Sequence, residues 1–116
     1  MNTQNNELML KLQTLFEPQS VAVIGASNNP AKCGFRILSN IIGGGCQGRV
    51  YPVNINPDSP EIRGLKVLIR MADLPEVPDI VVIVVPPSAV PQVMRDCAAK
   101  GVKAAVVITA GFAEIG

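Results

Sequence analysis

The sequence predicts an α/β fold: a Rossmann-like, doubly wound parallel sheet of strand order 3-2-1-4-5, preceded by an N-terminal amphipathic helix. Three observations predict it. Ile80 to Val85 is an unbroken run of β-favouring apolar residues, the pattern of a central strand buried on both faces. Around it, short apolar segments alternate with helix-length amphipathic ones in the order βαβ-β-βαβ, which right-handed crossovers wind into one sheet. Composition agrees, because 48% of the residues are apolar but only three are Phe, one is Tyr and none is Trp. A core of Val, Ile, Leu and Ala suits parallel strands covered by helices on both faces. At 116 residues the chain fits one domain, long enough to bury roughly two-thirds of the surface its unfolded form exposes.

Leu8, Leu12, Leu15 and Phe16 recur at helical spacing, and Glu17-Pro18 ends the pattern, so residues 1–17 read as a helix lying across the sheet as a lid. Residues 18–116 then form the Rossmann-like domain. Ser20 to Ile24 reads as a buried strand that runs into Gly25-Ala26-Ser27-Asn28-Asn29-Pro30. The next helix carries Phe35, Leu38, Ile41 and Ile42 on one face, and Gly43-Gly44-Gly45 stops it. Asn29 as N-cap with Pro30 at the first helical position is one start for it; a start nearer Gly34 is the other.

Val50 to Ile55 reads as a second strand, although Pro52 inside it lacks a ladder N–H. Lys66 to Ile69 is a weakly patterned third strand, followed by a helical turn at Met71 to Leu74 and a proline-bounded loop, Pro75 to Pro78. After the fourth strand and Pro86-Pro87, Ser88 caps a helix whose inner face is Val90, Val93, Met94 and Cys97. Lys100 and Gly101 close that helix. Val102 to Thr109 is the fifth strand, and Ala110-Gly111 turns the chain outward.

The formal net charge is +1 and no Lys/Arg block occurs, which removes the electrostatic footprint of a nucleic-acid or anionic-membrane binder. No apolar run reaches the roughly 18 residues of a membrane span. Residues 1–7 lack the basic-then-apolar order of a secretory signal. Cys33, Cys46 and Cys97 form no CxxC pair and no histidine is present to complete a zinc set; they read as reduced thiols of a cytoplasmic protein.

Ligands of such sheets sit beyond the carboxyl ends of the strands where the order reverses. Gly25 to Lys32, Asn54 to Pro57 and Val85 to Ser88 converge there. Gly25 permits a tight turn, and the following amides with the Ser27 hydroxyl can face a phosphate at the helix N-terminus. A helix start ordinarily favours Asp or Glu; here the nearby charges are Lys32 and Arg36, which points to an anion. The competing reading makes Gly25 a packing residue and both cations solvated, since the full G-x-G-x-x-G pattern is absent.

A NAD-type site requires Asp or Glu at the end of strand two, where this chain has Asn54 and Asn56. A neutral amide tolerates a phosphorylated ribose such as that of coenzyme A. Asp58 keeps an NAD(P) redox domain open as an alternative. No G-x-x-x-x-G-K-[ST] occurs, which argues against a nucleoside-triphosphate loop. Cys33 reads either as a thiol activated by the helix end or as a small packing residue. The loop carboxylates have no spacing that suggests acid/base chemistry.

Leu15 to Ser27, Val50-Tyr51-Pro52-Val53-Asn54, Val81 to Pro87 and Val106 to Phe112 together resemble the N-terminal CoA-binding domain of ADP-forming acetyl-CoA synthetases. That domain is similar to the one in the succinyl-CoA synthetase α subunit. The resemblance covers about Leu15 to Gly116. It implies coenzyme A lying across the strand ends, with phosphates on Gly25, Ala26, Ser27, Asn28, Asn29 and Lys32 and its remaining portion near Asn54 and Asn56. Pro86, Pro87 and Ser88, with Thr109 and Ala110, would flank the nucleotide or the pantetheine arm. The Ser27-Asn28-Asn29-Pro30 loop is less glycine-rich than that of the succinyl enzyme.

Family members convert acyl-CoA, ADP and phosphate to acid, CoA and ATP through a phosphorylated histidine on a following domain, with an ATP-grasp domain as further partner. This chain has no histidine, so the resemblance implies a CoA-positioning module, non-catalytic by itself, of a longer protein that continues where Phe112 to Gly116 should open another helix. The same type of domain begins some protein lysine acetyltransferases, where it would be regulatory; that parent remains an alternative.

Overall fold

The computed structural model describes residues 17–44 and 48–108. The helix read over residues 1–17 lies almost wholly outside them, as do Gly45, Cys46, Thr109, Ala110 and the segment read as opening another helix.

Four parallel strands form the sheet: β1 (Ser20–Ile24), β2 (Arg49–Val53), β5 (Ile80–Ile83) and β6 (Ala105–Val107), in the order β2-β1-β5-β6. All five residues of β1 are buried, as its position between two neighbours requires. Successive side chains of a strand point to opposite faces, and β1 divides accordingly. Val21 and Val23 pack with Leu38 of α1 (Cys33–Gly43), while Ala22 and Ile24 belong with Val81, Ile83 and Cys97 of α2 (Val90–Lys100). One helix therefore covers each face. The sheet is doubly wound, as the sequence predicts, and each large aliphatic side chain in these layers contributes about 1.5–3 kcal/mol.

The third predicted strand is smaller than expected. Lys66 is taken into a hairpin of β3 (Glu61–Ile62) and β4 (Leu65–Lys66), turned by Arg63 and Gly64 at φ 54° and 82°. The chain just beyond β4 meets β2 by a single parallel bridge, Val53 with Leu68. There the Leu68 N–H donates to the Pro52 carbonyl and the Asn54 N–H to the Leu68 carbonyl, each at 2.9 Å. The sheet therefore has four strands where the order 3-2-1-4-5 predicts five, and only this bridge marks the place expected for the third. The bridge also resolves the conflict over Pro52. A residue's carbonyl and N–H point to the same side of a strand, so the missing N–H faces this sparse outer edge and not β1.

Helix ends differ in detail. Asn29 is not the cap of α1: its side chain accepts the Ala31 N–H at 3.0 Å and its carbonyl the Lys32 N–H at 2.9 Å, making a turn before a helix that starts at Cys33. Ser88 does not cap α2. It lies in a 3-10 turn, Pro87–Ala89, and Ala89 holds the capping position without a side-chain bond. The other end is as read, with Gly101 at φ +92° donating to the Cys97 and Ala98 carbonyls. Val102 donates to Cys97 as part of that cap, so the fifth strand shortens to Ala105–Val107. Met94, assigned to the inner face of α2, is 43% exposed.

Candidate functional site

The chain leaves β1 at Gly25, which has φ +93°. A Cβ there would stand 2.0 Å from the Val84 carbonyl oxygen, so neither the backbone angle nor the space admits a side chain. The Gly25 N–H donates to Val53 of β2, and the Val84 N–H beyond β5 donates to Ile24, both at 2.8 Å. The turn is thus pinned at the point where the sheet order reverses. Gly34, in the first turn of α1, completes it: a Cβ there would meet the Gly25 carbonyl oxygen at 2.0 Å, so the helix starts directly on the glycine turn. Sequence reasoning does not assign Gly34 this role, although a second glycine nine residues after the first is the available signal.

Two loops close over this turn. Asn54 donates its Nδ2 to the Ala26 carbonyl at 2.8 Å and accepts the Asn56 N–H on Oδ1 at 2.9 Å. Its amide therefore joins the loop after β1 to the loop after β2. Ser27 Oγ donates to Asp58 Oδ2 at 2.5 Å, the Asn28 N–H donates to Asp58 Oδ1 at 2.9 Å, and the Asn29 N–H donates to Ser27 Oγ at 3.0 Å. The bonds from Ser27 and Asn28, with a smaller part from the charge of Lys32, hold the Asp58 carboxyl below its usual range. Asp58, read from sequence as a ribose-binding option, turns its carboxylate inward on this loop. The first turn of α1 carries no acidic residue.

A cavity of about 680 Å³ opens over the strand ends. Ile24, Gly25 and Val53 form its floor; Asn54, Ile55, Ile69 and Met71 make one side, and Val85, Ala89 and Val93 of the α2 side make the other. Arg70, Gln92, Asp96 and Lys100 supply its polar groups. Lys100 Nζ donates to the Leu74 carbonyl at 2.7 Å, which ties α2 to the turn Met71–Asp73. Among the residues chosen from sequence, Gly25 and Asn54 line the cavity. Ala26, Ser27, Asn28, Asn29 and Lys32 form the loop beside it, with Asn56 in the facing loop. Pro86, Pro87 and Ser88 are exposed between two lining residues, Val85 and Ala89. Arg70, Gln92 and Lys100 are site residues that sequence reasoning misses. The helix end alone accounts for Lys100 there, and Arg70 has no pattern around it.

The family described as "CoA binding domain" matches residues 19–114. The chain belongs to this family. The CoA-binding domain is 47% identical over 109 residues to the α subunit of acetate–CoA ligase [ADP-forming] I of Pyrococcus furiosus, covering 92% of this chain and 24% of that protein. It is 47% identical to acetate–CoA ligase [ADP-forming] II of Archaeoglobus fulgidus, over 90% of this chain and 15% of the relative. A solved acetyl-coenzyme A synthetase 1 of Ca. Korarchaeum cryptofilum, in complex with phosphate and ADP, superposes with a TM-score of 0.79 at 46% identity, over 90% of this chain and 22% of that one. The chain therefore spans a quarter or less of the length of these relatives.

Coenzyme A is the cofactor of such a domain, and the residues present suit it. A polyphosphate calls for donors that accept an anion, a nearby cation and no acid in the first helical turn: the Ser27 hydroxyl and Asn28 N–H already hold an anion in the Asp58 carboxylate, Lys32 stands before α1, and the first turn of α1 is free of acid. A cavity with aliphatic walls and a few polar groups is within the roughly 300–1,000 Å³ of ligand clefts. Among the described residues no helix is long and apolar enough to cross a membrane, and no three His, Cys, Asp or Glu side chains are grouped to hold a metal.

Proposed function

We propose that this domain is the CoA-binding module of a nucleoside-diphosphate-forming acyl-CoA synthetase and that it holds CoA without carrying out the chemistry by itself. One observation carries the reading. The cavity opens over the carboxyl ends of β1, β2 and the β5 segment, beside a glycine turn that admits no side chain, in a chain 47% identical over nearly its whole length to an acetate–CoA ligase subunit. In this reading the loop Gly25-Ala26-Ser27-Asn28-Asn29 and Lys32 face the phosphates. Asn54 and Asn56 order the loop over the nucleotide. Pro86-Pro87-Ser88, with Thr109 and Ala110, flank the rest of the cofactor.

The module would run from residue 18 and present the thiol of CoA to domains elsewhere in a cytoplasmic synthetase. Those domains would include a phosphohistidine-bearing one and an ATP-grasp one. The absence of any histidine in this chain fits that division of labour. The positioning itself lowers the entropic cost of bringing thiol and acyl donor together.

Calorimetric titration with CoA and dephospho-CoA, with NADH as the comparison, tests the reading. Saturable binding of CoA with no response to NADH is expected. No heat and no amide shift at millimolar CoA would remove the proposal, and preferential NADH binding would replace it with a redox domain.

A further inference from the structure

Asp58 occupies the two donors at the head of the phosphate loop. One carboxylate oxygen accepts from the Ser27 hydroxyl and the other from the Asn28 N–H. Ser27 is only 3% exposed, and the Asn29 N–H donates to its oxygen at 3.0 Å, so the hydroxyl proton is directed at the carboxylate and not at water. Two oxygens of one anion, met by a hydroxyl and a successive main-chain amide beside a glycine turn, form the arrangement in which such loops take a phosphate.

The bond does not serve as an ion pair, because among the described residues the salt bridge is Arg49 with Glu76 and none includes Asp58. Nor do the loops need it to stay together, since Asn54 already links Ala26 to Asn56. Asp58 is itself exposed, two residues past Asn56 and between Pro57 and Ser59, at a point with no sheet bonding. It can leave its donors without disturbing β2.

Resting on the CoA-binding reading above, we propose that Asp58 is an internal anion seated on the phosphate loop, and that a phosphate group of CoA binds there by exchange with this carboxylate. Two like charges within about 4 Å of each other repel, so the carboxylate and the phosphate cannot share Ser27 and Asn28. The native affinity for CoA is then set partly by what it costs to release Asp58. The device acts only on ligands that bring an anion to this loop, which makes Asp58 a determinant of affinity specific to phosphorylated ligands.

The test is titration of the intact protein and its Asp58→Asn variant with CoA and with pantetheine. Asn keeps the shape and removes the charge. The variant should bind CoA about fivefold more tightly, the size of losing one charge-assisted competitor at an exposed site, and bind pantetheine as the native protein does. Equal or weaker CoA binding by a variant with native circular dichroism would overturn the exchange and leave the CoA reading intact. Failure of both proteins to bind CoA would instead overturn the CoA reading and the exchange with it. A measurement on the native protein avoids the substitution altogether: the Asp58 side-chain carboxyl carbon and the Asn28 amide should shift together on addition of CoA but not of pantetheine. A carboxyl resonance that CoA leaves unmoved would overturn the exchange.

Discussion

The amino and carboxyl ends of the parallel sheet are both polar, but their charges are used differently. At the amino end, Arg49 meets Glu76 through Nε and Nη2 at 2.5 and 2.9 Å, and the Tyr51 hydroxyl donates to the same carboxylate at 2.5 Å. Asp79 accepts the Gln19 N–H at 2.8 Å, and its own N–H donates to the carbonyl and hydroxyl of Ser20. Glu76 is held down to about 2 by its bonds from Arg49 and Tyr51, and Arg49 is raised by the carboxylate. At the carboxyl end, Arg70 and Lys100 line a cavity and Lys32 stands on the loop beside it, none of them in an ion pair among the described residues, while the carboxylate against that loop, Asp58, is held by Ser27 and Asn28. A polar cluster that satisfies itself is part of the scaffold. One that leaves cations outside any ion pair beside a concavity is suited to a ligand.

The comparison can be broken most forcefully at its glycines. Gly25→Ala is expected to cost about 3 kcal/mol, because a left-handed backbone and a main-chain clash act together, and CoA binding should vanish even in the fraction that folds. Gly48, at the amino end, is the matched control. A Cβ there would stand 2.5 Å from the Gln19 carbonyl oxygen, so Gly48→Ala should lower the urea midpoint by the equivalent of about 1–3 kcal/mol, yet bind CoA normally once folded. Loss of binding by the Gly48 variant would mean that the two ends are not independent.

Smaller effects sharpen the same contrast. Asn54→Ala removes both bonds that join the two loops, so stability should fall by about 1–2 kcal/mol and CoA affinity by about tenfold, measured by denaturation and calorimetry. Lys100→Met keeps the aliphatic stem and deletes one cavity cation. A drop of about threefold in CoA affinity, with a shallower dependence on salt, is expected. An unchanged salt dependence would place Lys100 outside the ligand's field.

The kind of force that decides each feature sets how legible it is in the sequence. The central strand at Ile80, both described helices and the glycine turn depend on apolar runs, amphipathic spacing and a residue without Cβ, all of which are local, and the order β2-β1-β5-β6 follows from right-handed crossovers between them. The reduction of the third strand to a bridge at Leu68 and the cap roles of Asn29 and Ser88 are settled by competition between neighbouring bonds, which spacing does not encode. The reach of Asp58 to Ser27 spans 31 positions and exists only because two loops approach over the switch point. Arg70 and Lys100 meet at one cavity for the same reason, coming from the outer edge beside β2 and from the end of α2.

The smallest effect on binding should come from Glu76→Gln, and here the expected change is in pH dependence. Glu76 has a folded pKa of about 2 against an ordinary value of 4.5, so the unfolded chain binds its proton more readily. Its contribution to stability is therefore complete above about pH 4.5 and is lost as the pH falls from there toward 2. In the glutamine variant that part of the acid-side slope should disappear, so native and variant urea midpoints differ most above pH 5 and converge near pH 2. CoA titrated at neutral pH should bind both proteins alike, because the side chain lies at the far end of the strands from the cavity. A weakened CoA affinity in this variant would show that the amino-end cluster positions β2, and through it Asn54, so that the separation of scaffold from site would not hold.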